Sequence, residues 1–128
     1  MISYILPIRN EINLIKRMID SILKQNHIGH EFEILIADGM STDGTREKID
    51  EYNQKIKEVC LINNLEGIVS SGFNRALSIC KGSIIIRVDG HSEIAPDFVE
   101  NCIKTLDATR ADCVGGKTKH ISFGIVGK

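Results

Sequence analysis

The sequence predicts a single α/β domain with a mostly parallel sheet and helices on both of its faces. Its length of 128 residues suits one domain. Short runs rich in Ile and Val recur about every 25–30 residues with helical patterns between them, which is the spacing of βαβ units. These runs do not alternate with polar residues, as expected for strands that are covered on both faces.

The elements follow from these patterns in chain order. The predicted strands are residues 3–8, 33–37, 59–62, 83–88 and 112–114. Apolar residues spaced three and four apart predict a helix after each of the first four strands. These apolar faces are Ile12, Ile15, Ile19 and Ile22; then Ile49, Tyr52 and Ile56; then Val69, Phe73, Ala76 and Cys80; and finally Val99, Cys102, Ile103 and Leu106.

Turn and cap residues agree with this order of elements. Residues 41–45, with the sequence STDGT, predict a turn that leads into the second helix. Gly82 stands where the C-cap glycine of the third helix is expected. Pro96 suits the first turn of the fourth helix.

Composition excludes several classes of protein. The formal net charge of −1 argues against a general nucleic-acid binder. No apolar run reaches the roughly 20 residues that span a bilayer, and the N-terminus lacks the features of a secretory signal, so we expect a cytoplasmic location. The cysteines form no CxxC pair and are predicted to be small core residues, and three histidines are predicted to be solvated. These residues are Cys60, Cys80, Cys102 and Cys113, with His27, His30 and His120.

Polar residues are concentrated where the predicted strands end. In open parallel sheets, ligands bind beyond the carboxyl ends of the strands, near the point where the strand order reverses. The segments at these ends are residues 7–11, 38–43, 63–64 and 89–91. We therefore expect the functional site to be formed by these segments.

Asp89-Gly90-His91 is the most informative of these segments. A carboxylate and an imidazole two residues apart at a strand end can both reach one divalent cation, and this mixed pair suits Mn²⁺ better than a strict Mg²⁺ site. The alternative is an Asp-Gly turn followed by a solvated histidine. The three residues alone do not separate the two interpretations.

Four further charged residues have more than one interpretation. Asp38 could accept hydrogen bonds from a base edge or a ribose, or could be a turn residue before glycine. Asp43 is predicted to be a cap or turn residue, with a ligand contact as the alternative. Glu11 could contact a nucleotide or could be a carboxylate favoured in the first turn of a helix. Arg87 interrupts an apolar run and would need a carboxylate or phosphate partner if it were buried.

Several common catalytic and nucleotide-binding motifs are absent from the sequence. No GxGxxG follows the first strand, and Gly116-Lys117-Thr118 lacks the glycine of a P-loop, because Ala111 occupies that position. No Ser-His-Asp or Cys-His arrangement can be formed from local motifs. A dinucleotide site, a P-loop and a nucleophilic hydrolase are therefore unsupported.

Four segments together resemble the nucleotide-binding half of a family 2 glycosyltransferase with the GT-A fold. They are ILPIRNE at 5–11, ADGMSTDGT at 37–45, GFNRAL at 72–77 and RVDGH at 87–91. The resemblance covers roughly residues 3–116. The last two segments are similar to the succinoglycan-type members that build bacterial exopolysaccharides.

The resemblance implies a nucleotide-diphosphate sugar as donor, most often a UDP-sugar. Pro7, Ile8 and Arg9 would line the nucleoside pocket, with Glu11 near the ribose or base. Asp38 would form a hydrogen bond with the base.

The resemblance also implies a diphosphate and metal site. Asn74, with Arg75 beside it, would face the diphosphate. Asp89 and His91 would hold Mn²⁺ or Mg²⁺, which would neutralise the charge that develops on the departing diphosphate. The family usually has a second carboxylate where this chain has His91. Transfer to a saccharide or lipid-linked acceptor would invert the anomeric centre, with a carboxylate as general base.

Residues 1–116 are accordingly predicted to be a donor-binding GT-A subdomain. Residues 117–128 are predicted to be a tail leading to an acceptor-binding half that lies outside the chain. This tail contains no Asp or Glu, so the general base is expected to be absent from the chain and no catalytic residue is assigned. We expect self-association as a homodimer, and peripheral association of a full-length form with the inner face of the membrane. The alternatives are a non-catalytic nucleotide-binding or scaffold module and, less favoured, a nucleotidyltransferase.

Overall fold

A computed structural model describes residues 1–89 and 93–109, in which strands and helices alternate along the chain. The elements are β1 (Ile2–Ile8), α1 (Ile15–Leu23), β2 (Phe32–Asp38), α2 (Thr45–Lys55), β3 (Val59–Asn63), α3 (Val69–Ile79), β4 (Ile84–Arg87) and α4 (Phe98–Thr109). Every strand pairing among these residues is parallel. The first four predicted strands are confirmed, whereas the fifth, residues 112–114, lies outside the described residues.

The strand order β3-β2-β1-β4 places β1 inside the sheet. The chain moves outward from β1 to β2 and β3, and then returns to the other side of β1 to form β4. The strand order therefore reverses between β1 and β4, and a crevice is expected at their carboxyl ends. Register brings Ile8 beside Asp38, and Asp38 beside Asn63, so that polar strand ends are neighbours.

Both faces of the sheet are covered, as the sequence predicts. Alternate residues of β1 point to opposite faces. Tyr4 and Leu6 belong to a large cluster with residues of α1, α2 and α4. Ile5 belongs to a smaller cluster with Leu35 and with Ala76 of α3. All seven residues of β1 are buried, which explains why its sequence does not alternate.

The start of α1 differs from the prediction. Ile12 is predicted on the apolar face of the helix, but α1 begins at Ile15 and Ile12 is 36% exposed. The backbone N–H groups of residues 10, 11 and 12 donate to the side chains of Ser41, Thr45 and Asp43, at 2.7, 3.0 and 3.2 Å. The segment before α1 is therefore held against the β2–α2 loop instead of beginning a helix.

Three other sequence assignments also differ in detail. Pro96 lies in the turn before α4, two residues upstream of its first residue, and Val69 is 52% exposed despite its helical spacing. Cys60 was predicted to be a core residue but is exposed on β3, an edge strand of the described sheet. Cys113 lies outside the described residues.

The interpretation of Gly82 as a C-cap glycine is wrong, because its φ is not positive and α3 already ends at Ile79. Its role is close approach to β1. A Cβ at this position would lie 2.5 Å from Ser3 Oγ and 2.7 Å from both Ser3 N and Met1 O. The Gly82 N–H donates to Ser3 Oγ at 2.8 Å, which fixes the entry to β4 beside β1.

His27 was predicted to be solvated, and this is also wrong. Its ring stacks on Phe32 with centroids 4.0 Å apart, and its Nε2 lies 2.9 Å from the buried Tyr4 hydroxyl. Burial raises the pKa of Tyr4, which keeps its hydroxyl protonated. Burial lowers the pKa of His27, and the nearby His30 lowers it further. The imidazole therefore supplies the partner that a buried tyrosine hydroxyl requires.

Gly82→Ala is expected to destabilise the domain by about 3 kcal/mol, because the new methyl group would meet backbone atoms that cannot move aside. Gly29→Ala is the matched control. Gly29 has a φ of 75° and open space around it, so alanine there should cost only the strain of a left-handed backbone, about 1 kcal/mol. Urea unfolding of the three proteins measures both values. A smaller cost at Gly82 than at Gly29 would contradict the close approach to β1.

Stability is expected to fall as pH decreases from about 7.5 to about 5.5, and His27 should account for part of that fall. Because the pKa of His27 is lower in the folded protein, the unfolded chain takes up the proton first, which favours unfolding. His27→Gln should show a shallower pH dependence of unfolding free energy than the wild type. His30→Gln, at an exposed position, should retain most of the slope. Equal slopes in the wild type and His27→Gln would contradict this assignment.

Candidate functional site

A cleft of about 410 Å³ opens at the carboxyl ends of β1 and β4, where the strand order reverses. It is lined by Pro7, Ile8, Arg9, Glu11, Asn64, Gly67, Ile68, Val69, Arg87 and Asp89. The lining combines an apolar portion with two arginines and two carboxylates. This is the composition expected of a site for a ligand with an apolar or aromatic part and a charged part.

The structure brings most of the predicted site residues together in this cleft. Pro7, Ile8, Arg9, Glu11 and Asp89 all line it.

Three predicted residues do not line the cleft, and a fourth lies outside the described residues. Asp38 is fully buried beneath the neighbouring loop, and Asn74 is exposed on α3. Arg75, next to Asn74, pairs with Glu66 at 3.5 Å and also does not line the cleft. His91 lies outside the described residues.

Asp38 is held by a network of protein hydrogen bonds. Its Oδ2 accepts from the Ser41 N–H and from Arg46 Nη1, both at 2.9 Å, and its Oδ1 accepts from the Ser41 hydroxyl at 2.5 Å. Arg46 Nη2 also donates to Asn63 Oδ1 at 2.5 Å. Arg46 therefore joins the ends of β2 and β3, and Asp38 orders the loop that follows β2.

This β2–α2 loop is tied to the segment after β1. The Asn10 side chain accepts from the Thr42 N–H at 2.8 Å, while its own N–H donates to Ser41. Asp43 accepts from the backbone N–H groups of Thr45 and Ile12. Hydrogen bonding from the Thr45 hydroxyl is the main cause that holds the pKa of Asp43 below its ordinary value. Asp43 is thus a turn residue, as predicted.

The β3–α3 loop forms the opposite wall of the cleft. Asn64 is 2% exposed, and its side chain donates to Ile68 O at 2.7 Å and accepts from the Ser71 hydroxyl at 2.8 Å. A Cβ on Gly39 would lie 3.2 Å from Gly67 Cα, so this wall approaches the β2 end closely. Asn64 belongs to the segment 63–64 that the sequence predicts at the site, whereas Gly67, Ile68 and Val69 were not predicted there, because this approach depends on the tertiary structure.

Arg87 and Asp89 form an ion pair at the end of β4. Arg87 Nε donates to Asp89 Oδ1 at 3.0 Å, and the guanidinium carbon lies 5.2 Å from the Phe73 ring centroid. The partner that could not be named from sequence is therefore two residues away. The side chains are 51% and 65% exposed, so this is a surface pair with little effect on stability.

Residues 93–99 are attached to α1 and to Gln25, which follows α1 in the chain. Gln25, 6% exposed, donates to Ala95 O at 2.7 Å and accepts from the Val99 N–H at 3.0 Å. Arg17 pairs with Glu93 at 3.0 Å. The Gln25 side chain thus satisfies a backbone donor in the first turn of α4. Sequence patterns do not predict this role, because Gln25 and Val99 are 74 positions apart.

Within residues 1–89 and 93–109, no group of three or more His, Cys, Asp or Glu side chains is placed to hold a metal ion. Asp89, the carboxylate of the predicted metal motif, is among the described residues. No described residue donates to its Oδ2, and the side chain is exposed to the cleft. An exposed carboxylate oxygen is a suitable ligand for a hard divalent cation.

Arg46→Met is expected to destabilise the domain by about 2 kcal/mol, because the buried Asp38 carboxylate would lose its charged partner. Arg75→Met is the matched control, since its pair with Glu66 is solvent-exposed, and it should change stability by less than about 0.5 kcal/mol. Chemical denaturation of the two variants checks this difference. Equal values would show that Arg46 is no more than a surface residue.

Comparisons with known proteins agree with this geometry. The family model described as "Glycosyl transferase family 2" matches residues 3–127. Succinoglycan biosynthesis protein ExoA of Rhizobium meliloti (strain 1021) is 31% identical over 121 residues, which cover 93% of this chain and 36% of ExoA. The chain spans between 12% and 40% of the lengths of the curated relatives it matches.

Solved structures confirm the GT-A architecture. S. aureus TarS 1–349 in complex with UDP-GlcNAc has a TM-score of 0.76 and 25% identity, over 87% of this chain and 32% of that one. The mannosyltransferase PcManGT from Pyrobaculum calidifontis, in complex with GDP-Man and Mn²⁺, has a TM-score of 0.74 and 27% identity, over 82% and 32%. The chain belongs to glycosyl transferase family 2, and its similarity to succinoglycan-type members is confirmed.

Proposed function

We propose that this chain binds the nucleotide-diphosphate sugar donor of an inverting glycosyltransferase that acts on a saccharide or lipid-linked acceptor. One observation carries the proposal: residues of two family motifs meet in one cleft at the point where the strand order reverses. They are Pro7, Ile8, Arg9 and Glu11 of the first motif, with Arg87 and Asp89 of the last. TarS with UDP-GlcNAc and PcManGT with GDP-Man support a nucleotide-sugar ligand. We favour a UDP-sugar, as the sequence resemblance implies.

The cleft residues suggest how the donor would lie. Pro7 and Ile8 offer an apolar surface at the end of β1 for the nucleoside, with Arg9 and Glu11 next to it. Asp38 is a predicted base contact, although its carboxylate is buried and bonded to Ser41 and Arg46. A base could reach it only if one of these two partners moved.

The diphosphate would lie toward the β4 end of the cleft. Asp89 would bind Mn²⁺ or Mg²⁺ there, and Mn²⁺ in the PcManGT complex supports a metal in this fold. When bound, the cation would neutralise negative charge on the departing diphosphate. His91 as the second metal ligand and Asn74 as a diphosphate contact stay predictions.

Sugar transfer by a longer protein is part of this proposal, because the chain covers a minority of each relative's length. The general base would be a carboxylate of the acceptor-binding half. Cytoplasmic location, a homodimer and peripheral membrane association stay predictions. No helix in the described part of the chain has the length and hydropathy needed to cross a bilayer.

A non-catalytic nucleotide-binding or scaffold module is the second candidate. A module of this kind would bind a nucleotide in the same cleft without transferring a sugar. The two candidates differ in turnover. Only the first predicts that a longer protein containing this chain releases UDP from a UDP-sugar when acceptor is supplied.

Calorimetric titration with UDP, with and without Mn²⁺, tests donor binding, and GDP is the comparison ligand. The wild type should bind UDP more tightly with Mn²⁺. Asp89→Asn should lose most of the Mn²⁺-dependent gain in UDP affinity, roughly ten-fold or more. Asp50→Asn, at an exposed position on α2, removes the same charge and should match the wild type. Failure to bind either diphosphate, with or without Mn²⁺, would refute the proposal.

A further inference from the structure

Arg87 is a cleft residue to which the proposed function assigns no role. It is the last residue of β4, where it follows three isoleucines, and its side chain is half exposed in the cleft. The Phe73 ring lies on one side of the guanidinium and the Asp89 carboxylate contacts its Nε. A charged residue at the end of an apolar strand is thus held in place by two contacts.

Most of the N–H donors of Arg87 take part in neither of these two contacts. A guanidinium has five N–H groups in a planar fork that matches phosphate oxygens. The Nε–H donates to Asp89, and no described residue accepts a hydrogen bond from Nη1 or Nη2. The terminal amino groups therefore remain available for a ligand in the cleft.

The charges lining the cleft indicate when such a ligand would be bound. Arg9 and Arg87 are balanced by Glu11 and Asp89, so the lining has no net charge to attract a diphosphate. A divalent cation on Asp89 would change the sign of the local charge. It would also compete with Arg87 for the same carboxylate, because Asp89 Oδ1 accepts the Arg87 Nε–H.

We propose that Asp89 exchanges Arg87 for the divalent cation, and that the released Arg87 then donates hydrogen bonds to the diphosphate of the donor. This inference rests on the proposed function and identifies a specific contact within it. Arg87 lowers the affinity for the cation alone and raises the affinity for the diphosphate once the cation is bound. The exchange makes the two binding events cooperative.

Arg87→Gln should therefore change two affinities in opposite directions. Mn²⁺ alone should bind roughly two- to five-fold more tightly, because a surface ion pair that competed with it is gone. UDP in the presence of Mn²⁺ should bind roughly ten- to hundred-fold more weakly, because charge-assisted hydrogen bonds to the diphosphate are lost. General damage to the cleft would weaken both ligands.

The experiment uses the full chain, with calorimetry for UDP and uridine and electron paramagnetic resonance for free Mn²⁺. Uridine, which has no phosphate, should bind the wild type and Arg87→Gln equally. Arg87→Lys, which keeps the charge but loses the planar fork, should retain part of the UDP affinity. Lys48→Gln, on the surface of α2 and outside the cleft lining, controls for loss of one positive charge. Circular dichroism checks that each variant is folded, and Arg87→Lys serves for the comparison if Arg87→Gln is not.

The outcomes separate this inference from the function on which it rests. Opposite shifts for Mn²⁺ and UDP support the exchange. If the wild type binds UDP with Mn²⁺ and Arg87→Gln does the same with equal affinities, the exchange is refuted and donor binding stands. Parallel weakening of Mn²⁺, UDP and uridine also refutes it, since Arg87 would then only support the cleft. If the wild type binds no nucleoside diphosphate with Mn²⁺, both proposals fail.

Discussion

Parallel pairing of β1 with both β2 and β4 is the constraint on which the rest of this structure depends. A strand flanked on both sides and covered on both faces is expected to be largely apolar, and all seven residues of β1 are buried, with Ser3 bonded to Glu33. The same position creates the cleft, because the chain leaves β1 in one direction and returns on its other side. Stability and site are therefore two results of one topology.

The sequence predicted the sheet well because short, continuous runs of Ile and Val are typical of buried strands in a domain of this size. It failed where a residue's partner lies far along the chain. Ile12 has helical spacing, but side chains more than 30 positions away bind the backbone before α1. Gly82 and His27 gave the same difficulty, since the roles of both depend on contact with β1, through Ser3 and Tyr4.

The site was predictable to the extent that it follows strand ends. The rule that ligands bind beyond parallel strands identified residues 7–11 and Asp89, and all of these except Asn10 line the cleft. Asn64 also belongs to a predicted strand-end segment, but the loop that follows it could not be predicted as a wall, because this requires Gly39 and Gly67 to come within contact distance. Asp38 stands between these cases: its place at the end of β2 was foreseen, but its enclosure by Ser41 and Arg46 was not.

The attachment of residues 93–99 to Gln25 has a consequence for engineering this fold. Gln25, just after α1, is bonded to both Ala95 and Val99, so the residues that lead into α4 are tied to the end of α1. A chimaera that imported residues 84–99 from a relative would have to bring the carbonyl of residue 95 and the N–H of residue 99 to the same positions, because the buried Gln25 amide would otherwise lose both partners. Exchange of donor specificity between family members by segment replacement would therefore need to include the end of α1 and Gln25, although neither lines the cleft.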